Sequence, residues 1–358
     1  MLATASPLQG GNLSMAGFSQ QSVQWKNSVL GALCFSGTGS NCLLPAAIDL
    51  PNLCVPMQRL DENDSICEVW MSNVELAQGQ QGAIHFRHND DVLFGVIELD
   101  ETQFTADAEK TPLQRATESA YHQVFTLLDT LRYPYLFRVW NYIADINAHS
   151  FELERYHQFN LGRQDAFLAH GREVVGNVPA ACALGFEQRS AACGALSIAF
   201  LAGRVIPRNI ENPRQISAYQ YPQQYGPRTP TFSRASLVSV GQDEVLFISG
   251  TASIVGHATL HPTDVVAQTR ETMANIKAVL SEANSLARQP QFALANLHYK
   301  VYVRHATDLA KIQAELESIV GGTPTAIYLQ ADVCRQDLLL EIEATAGHPL
   351  VRMHGNSS

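Results

Sequence analysis

The same order of elements occurs twice in this chain, and that repetition constrains the fold more than any total does. Between residues 92 and 202 a strand-like run, VLFGVIEL, precedes a helical stretch, TPLQRATESAYHQVFTLLDTL. A strand (YLFRVWNYI), a helix (SFELERYHQFNLGRQDAFLAHG) and two further strands (AACALGF and GALSIAFLA) follow. The last third repeats the series. SRASLVSV and VLFIS are strands, and HPTDVVAQTRETMANIKAVLSEANSL is a helix with Thr263 as its expected cap and Asp264 in its first turn. LHYKVYVR, the helix TDLAKIQAELESIVGG, AIYLQ and LLLEIEA complete it. Apolar residues fall at helical spacing in the helices (Val266, Met273, Ile276 and Leu280 in one) and β-branched runs mark the strands. The expectation is an α+β protein of two related units, each a helix pair packed on a mixed β-sheet. No fixed-period repeat points to a solenoid.

At 358 residues the chain is long for a single core. The expected division is a flexible N-terminus over 1–25, an N-terminal α/β domain over 26–202, a connector over 203–232 and a C-terminal domain over 233–348. The connector holds five prolines and three tyrosines. Loops of that length are usually functional, so it is expected to line a site. The net charge of −10 argues against a general nucleic-acid binder. Against that balance, residues 132–234 hold 11 arginines, no lysine and only 7 acids. Arginine without lysine suits planar recognition of carboxylates or phosphates, although any one of these could be structural. Seven cysteines, an odd number with no C-x-x-C pair, predict reduced thiols in a cytoplasmic protein rather than a disulfide frame or a zinc site. Neither a secretory signal nor a run of the ~18 apolar residues needed for a membrane span stands out.

Few motifs carry chemistry. GTGS at 37–40 lacks the strand-GxGxxG-helix context, so no dinucleotide site is expected, and His257 and His261 sit in poor helical context for a metal. Glu341 is different. It stands in the middle of an apolar strand, sharing a face with Leu339 and Glu343. Either that face is solvated, the commoner arrangement, or Glu341 lies in a cleft, where apolar neighbours would raise its pKa into the range of a general acid. Cys334 stands seven residues before it; alone, such a cysteine is more often a small buried hydrophobe than a nucleophile. A second cluster, Arg138, Asn141, Tyr142, Arg155, Tyr156 and Arg163, spans a strand and the next helix. Tyr156 and Arg163 are seven apart and share a helical face, which could hold an anionic ring or form a structural aromatic–arginine stack.

Five ordered blocks resemble the chorismatase family: RYPYLFRVWNYIADIN, ERYHQFNLGRQDAF, SAYQYPQQYGPRTPTFSRA, FISGTASIVGH and DVCRQDLLLEIEA. The last third also resembles the trimeric RidA/YjgF-type proteins through FISGTAS and the terminal EIEA. The resemblance implies two RidA/YjgF-like, chorismate-mutase-like units arranged as a pseudo-trimer-like monomer, with the site between units and no metal, nucleotide or flavin. It implies a lyase that takes pyruvate from chorismate to give 3-hydroxybenzoate, with some 4-hydroxybenzoate. Glu341 is then the catalytic acid that protonates the enolpyruvyl methylene, and Cys334 is the residue that favours the aromatic product. By the same resemblance Tyr156 and Arg163 hold the ring carboxylate, Tyr219, Arg138 and Arg228 the other end of the substrate, and Gly250 and Ala252 the pocket floor. The rival readings are a hydrolytic chorismatase, which Cys334 disfavours, a RidA-like imine hydrolase, and a non-catalytic aromatic-acid-binding protein. RidA-type proteins carry an arginine just before the penultimate strand; GGTPTAIYLQ has none.

Overall fold

A computed structural model of the chain describes residues 6–37, 50–107, 109–187, 196–289 and 291–351. Cys42, Cys193, the 38–40 part of the Gly-rich loop and the first two residues of GALSIAFLA fall outside them.

Helices α1 (Met15–Gln20), α2 (Val23–Asn27), α3 (Pro112–Leu131), α4 (Arg155–Ala169), α5 (Val265–Leu286) and α6 (Leu309–Val320) pack on three sheets. The C-terminal sheet runs Arg208–Ile210, Ala235–Val240, Asp243–Thr251, Leu340–Ala346, His298–Val303, Thr325–Gln330. The middle sheet runs Asp332–Val333, Ala180–Phe186, Tyr135–Ala144, Leu196–Gly203, Val92–Leu99, Ile84–His88, Ala77–Gln81. The six strands of the C-terminal sheet match six of the seven in the middle sheet; Asp332–Val333 is the extra one, added at its edge. Each sheet has one parallel pair, Tyr135–Ala144 with Ala180–Phe186 and His298–Val303 with Thr325–Gln330. A parallel pair needs a crossover, and α4 and α6 supply it.

The repeat extends further than the two units expected. Gln9–Ser14, Ile66–Met71, Val29–Phe35 and Asn52–Val55 form a third, smaller sheet with the same pattern, again with one parallel pair. The flexible N-terminus expected over 1–25 is therefore corrected from residue 6 onward: Gln9–Ser14 is a strand paired with Ile66–Met71, and Ser14 and Ser22 cap α1 and α2. Its composition misleads because Gly10 and Gly11 serve close packing. A Cβ at Gly10 would run into the Trp70 ring.

Local chemistry sets the helix ends. Thr111 accepts from the Gln114 N–H with Pro112 in the first turn, and α3 stops at Arg132 with φ 60°. At α5 the cap is Asp264, not Thr263; its carboxylate accepts from the N–H groups of Val266 and Ala267. Gly321 ends α6 in the left-handed conformation, at φ 82°. Helices cover the outer face of each sheet: α3 and α4 on the middle one (Phe125, Leu128, Phe159), α5 and α6 on the C-terminal one (Ile276, Ile312, Leu316). The inner faces meet one another in a common core that includes Phe35, Trp70, Phe94, Trp140, Phe247 and Leu329.

A buried charge network crosses this core. Lys300 pairs with Glu343 at 2.7 Å and with Glu68, and Arg138 pairs with Glu343. The Nε1 groups of Trp140 and Trp70 donate to Glu343 and Glu68 at 3.0 and 2.9 Å. Each of the three units contributes at least one charge. The expectation of reduced thiols is corrected for Cys34 and Cys67, which pair as a disulfide because the antiparallel register of their strands sets them opposite each other, with Cα atoms 4.1 Å apart. Cys182 and Cys334 are free. No helix among the described residues is long and apolar enough to cross a membrane.

Candidate active site

A cavity of about 360 Å³ opens between the middle and C-terminal units. Its floor is the strand pair that carries Glu341 and Gly250. The pairing of Asp243–Thr251 with Leu340–Ala346 slips in register between Ile248 and Thr251, and Gly250 stands in the slip. A Cβ there would overlap Glu341 Oε1 and crowd the Cys182 Cβ at 3.2 Å, so glycine is what lets the carboxyl lie across the strand.

Glu341 is 4 % exposed. Alternation turns Leu340 and Ile342 toward α5 and α6, and Glu341 and Glu343 toward the space between the units. Of the two environments open to Glu341, the structure gives the cleft. Burial, followed by the charge of Glu343 two residues on, pushes its pKa up to about 8, against the pull of Arg138 and Arg234. Burial works against the charge of Glu343 too, but Arg138 and Lys300 outweigh it and hold that carboxyl low. Two carboxyls on one strand face are thereby driven apart, one kept protonated near neutral pH and one ionised. The Cys334 thiol lies 4.0 Å from Glu341 Oε2. Burial and the neighbouring Glu341 push it up to about 12, so it stays a neutral thiol and is a poor nucleophile.

Helix α4 supplies the wall from the middle unit. Tyr156 and Arg163 both line the cavity. Burial raises the Tyr156 phenol, which therefore stays protonated. Arg163 is 2 % exposed; its Nη2 donates to Asn160 Oδ1 at 2.9 Å, its guanidinium lies over Phe159, and its Nε has no hydrogen-bond partner among the described residues. The connector supplies the roof with Tyr221 and Tyr225, and so lines the cavity. Arg234 donates to the Tyr221 hydroxyl at 2.9 Å and to the Ile216 carbonyl at 2.8 Å. Arg335 stacks on Tyr225 at 4.0 Å and donates to the His257 carbonyl at 2.9 Å. Among the described residues none of these three arginines is within ion-pair distance of a carboxylate. Three guanidiniums face one cavity beside an acid that is kept neutral; Glu154 and Asp337 also line it, so arginines outnumber the remaining acids three to two, an arrangement suited to a small anion.

Of the nine residues that the resemblance assigned to the site, Glu341, Cys334, Tyr156, Arg163, Gly250 and Ala252 come together around the cavity. Three do not. Arg138 is fully buried on the other side, bound to Glu343 in the central core, because alternation along Tyr135–Ala144 turns it inward with Trp140 and Tyr142. It reaches the site only through its field. Tyr219 sits in a single helical turn, Ala218–Gln220, that directs Tyr221 rather than Tyr219 to the cavity. Arg228 is exposed on the connector and absent from the lining. Arg234 and Arg335 were missed. The second had a signal, since it directly follows Cys334.

This architecture and site define a class first: an α+β protein of repeated helix-on-sheet units folded into one chain, with a pocket bearing a buried acid between two of them. The N-terminal domain model "Chorismatase FkbO/Hyg5-like" matches residues 68–202, and the Endoribonuclease L-PSP model matches 230–348. A Streptomyces rapamycinicus protein named chorismatase is 37% identical over 79% of this chain and 82% of its own length. A Streptomyces hygroscopicus protein named 3-hydroxybenzoate synthase is 36% identical over 78% of this chain and 81% of its own. A chorismatase crystal structure superposes with a TM-score of 0.81 at 31% identity, covering 96% of this chain and 99% of that one. The chain belongs to the chorismatase family.

Proposed function

We propose that the protein removes pyruvate from chorismate and releases 3-hydroxybenzoate, with Glu341 as the general acid. The observation that carries this reading is a carboxyl kept protonated to about pH 8 at the floor of a cavity lined by three arginines that stand outside ion-pair distance of any described carboxylate, with Glu154 and Asp337 the remaining acids of the lining. Chorismate is a dianion of two carboxylates joined through an enol ether. Arg163 and Tyr156 on one wall suit the ring carboxylate, and Arg234 and Arg335 on the facing side suit the enolpyruvyl carboxylate.

In that pose Glu341 gives its proton to the enol-ether methylene, and positive charge develops on the ether carbon. A neutral acid suits the step for two reasons. It holds a proton to give, and the carboxylate it leaves behind stabilises the cation beside it. Arg138 and Arg234 favour the ionised form as it appears. The fate of the ring then depends on water. Admitted, water adds to the cationic carbon and the hemiketal collapses to pyruvate, leaving two hydroxyls on the ring. With water excluded, the ring's own hydroxyl adds to that carbon, its bond to the ring breaks as the ring loses a proton and aromatises, and its oxygen leaves in pyruvate. The Cys334 thiol, uncharged and 4.0 Å from the acid, fills space that water would otherwise occupy. That favours the aromatic outcome, and the name of the S. hygroscopicus relative supports the same product.

The test is incubation of the purified protein with chorismate and no added cofactor, with products separated and identified by mass. Pyruvate with 3-hydroxybenzoate is expected. Pyruvate with a non-aromatic dihydroxy acid would overturn the product assignment and keep the acid step. Chorismate returned unchanged by folded protein would overturn the lyase reading.

A further inference from the structure

Arg304 does not line the cavity, yet it makes more side-chain hydrogen bonds than any residue that does. It follows the strand His298–Val303, and its side chain is 12% exposed. Every nitrogen of its guanidinium is used. Nε donates to the Leu338 carbonyl at 2.8 Å. Nη1 donates to Asp332 Oδ1 at 2.6 Å and to Asn147 Oδ1 at 3.2 Å. Nη2 donates to the carbonyls of Val333 and Arg335 at 3.1 and 2.9 Å. Its backbone N–H adds a bond to the Leu339 carbonyl at 3.0 Å.

Of the five acceptors of the side chain, four lie on the loop from Asp332 to Leu338, the segment that leaves the middle sheet, presents Cys334 and Arg335 to the cavity, and enters the strand of Glu341. Two of the carbonyls, those of Val333 and Arg335, flank Cys334 directly. The fifth acceptor, Asn147, belongs to the turn before the hairpin His149–Glu154, on the opposite wall. One planar fork therefore sets the curvature of the thiol-bearing loop and ties it to the other unit. A lysine has three donors at one point and cannot span the same carbonyls.

We infer that Arg304 is a positioning residue: it fixes where the Cys334 thiol stands over Glu341, and through that placement it governs which product leaves. The inference rests on the proposed role of Cys334. A loop relaxed by about 1 Å at this point opens the space the thiol fills, and displacements of that size carry up to ~100-fold effects on rate.

The test compares wild type with Arg304→Lys and with Asn147→Ala, which removes a single acceptor and is the milder probe if the first variant folds poorly. One readout is the rate of Cys334 alkylation by iodoacetamide, followed by peptide mass. The other is the ratio of 3-hydroxybenzoate to dihydroxy acid from chorismate, with kcat and KM. Arg304→Lys is expected to alkylate about tenfold faster, to shift its products toward the dihydroxy acid, and to lose kcat with little change in KM. Asn147→Ala should move both readouts the same way by less. A folded Arg304→Lys with unchanged alkylation rate and product ratio would overturn the inference, as would activity lost only in proportion to folded protein. The alkylation arm needs no substrate. It decides Arg304's hold on the thiol even where wild type proves inert to chorismate, a result that would remove the functional reading by itself.

Discussion

Replacing Glu341 by Gln keeps the shape of the side chain and removes only its capacity to give up a proton. Glu341→Gln is expected to fold and to lose turnover by about 100-fold to 10,000-fold, the range associated with a positioned acid. The same substitution carries a stability signature of definite sign. The folded pKa of Glu341, about 8, lies above the 4.5 of an ordinary glutamate. Its contribution is therefore fully present below the unfolded value and is lost as pH rises through the folded one. Between pH 6 and pH 9 wild type should lose about 3 kcal/mol relative to Glu341→Gln, read as a growing gap in denaturation midpoint. Equal pH dependence in the two proteins would contradict the burial argument. An acid inside LLLEIEA was legible in the sequence as an anomaly, because a carboxyl among leucines has few stable reasons to be there. Arg234 and Arg335 were not legible. Nothing in the spacing of an arginine says whether a carboxylate will stand opposite it, and that depends on how the connector folds over the cavity.

At the scale of elements, α4 turns periodicity into a binding wall. Tyr156 and Arg163 share its cavity face because they are two turns apart, and the helix is held close to α3 by Gly162, where a Cβ would collide with the Gln114 carbonyl. Arg163→Lys keeps the charge and loses the fork. It is expected to raise KM for chorismate by about tenfold or more while the melting temperature moves little, as steady-state kinetics and a thermal melt would show. The long periodic helices and apolar strands of residues 92–202 and 233–346 were readable, since each repeats its pattern for several turns or pleats. The short strands before residue 89 were not. Gln9–Ser14 and Ala77–Gln81 are glycine- and glutamine-rich, and they are strands through their ladder partners rather than through propensity. Tyr219 was chosen over Tyr221 for a related reason: an irregular connector has no period from which to read a facing side.

Over the whole molecule, three sheets share one core, and a charge network joins all three at its centre. Lys300 is the only cation paired with both Glu68 and Glu343 among the described residues. Burial pulls its pKa down, but those two carboxylates outweigh the effect and hold it up. Lys300→Met should cost about 3–5 kcal/mol, because it leaves two buried acids without their shared partner, and urea denaturation would report it. A cost under ~1 kcal/mol would mean that the units are held by their apolar faces alone. The network also links fold to site, since Glu343 is at once its hub and the charge that helps keep Glu341 protonated. The central claim is that protonation of Glu341, set by that burial and that neighbour, controls the reaction. It is tested most directly by kcat/KM for chorismate from pH 5.5 to 10. The account predicts a single fall centred near pH 8 on the alkaline side, absent from the residual turnover of Glu341→Gln, which stays about 100-fold or more below wild type; a profile flat to pH 10, or a Glu341→Gln protein that still releases pyruvate at the wild-type rate, would contradict it.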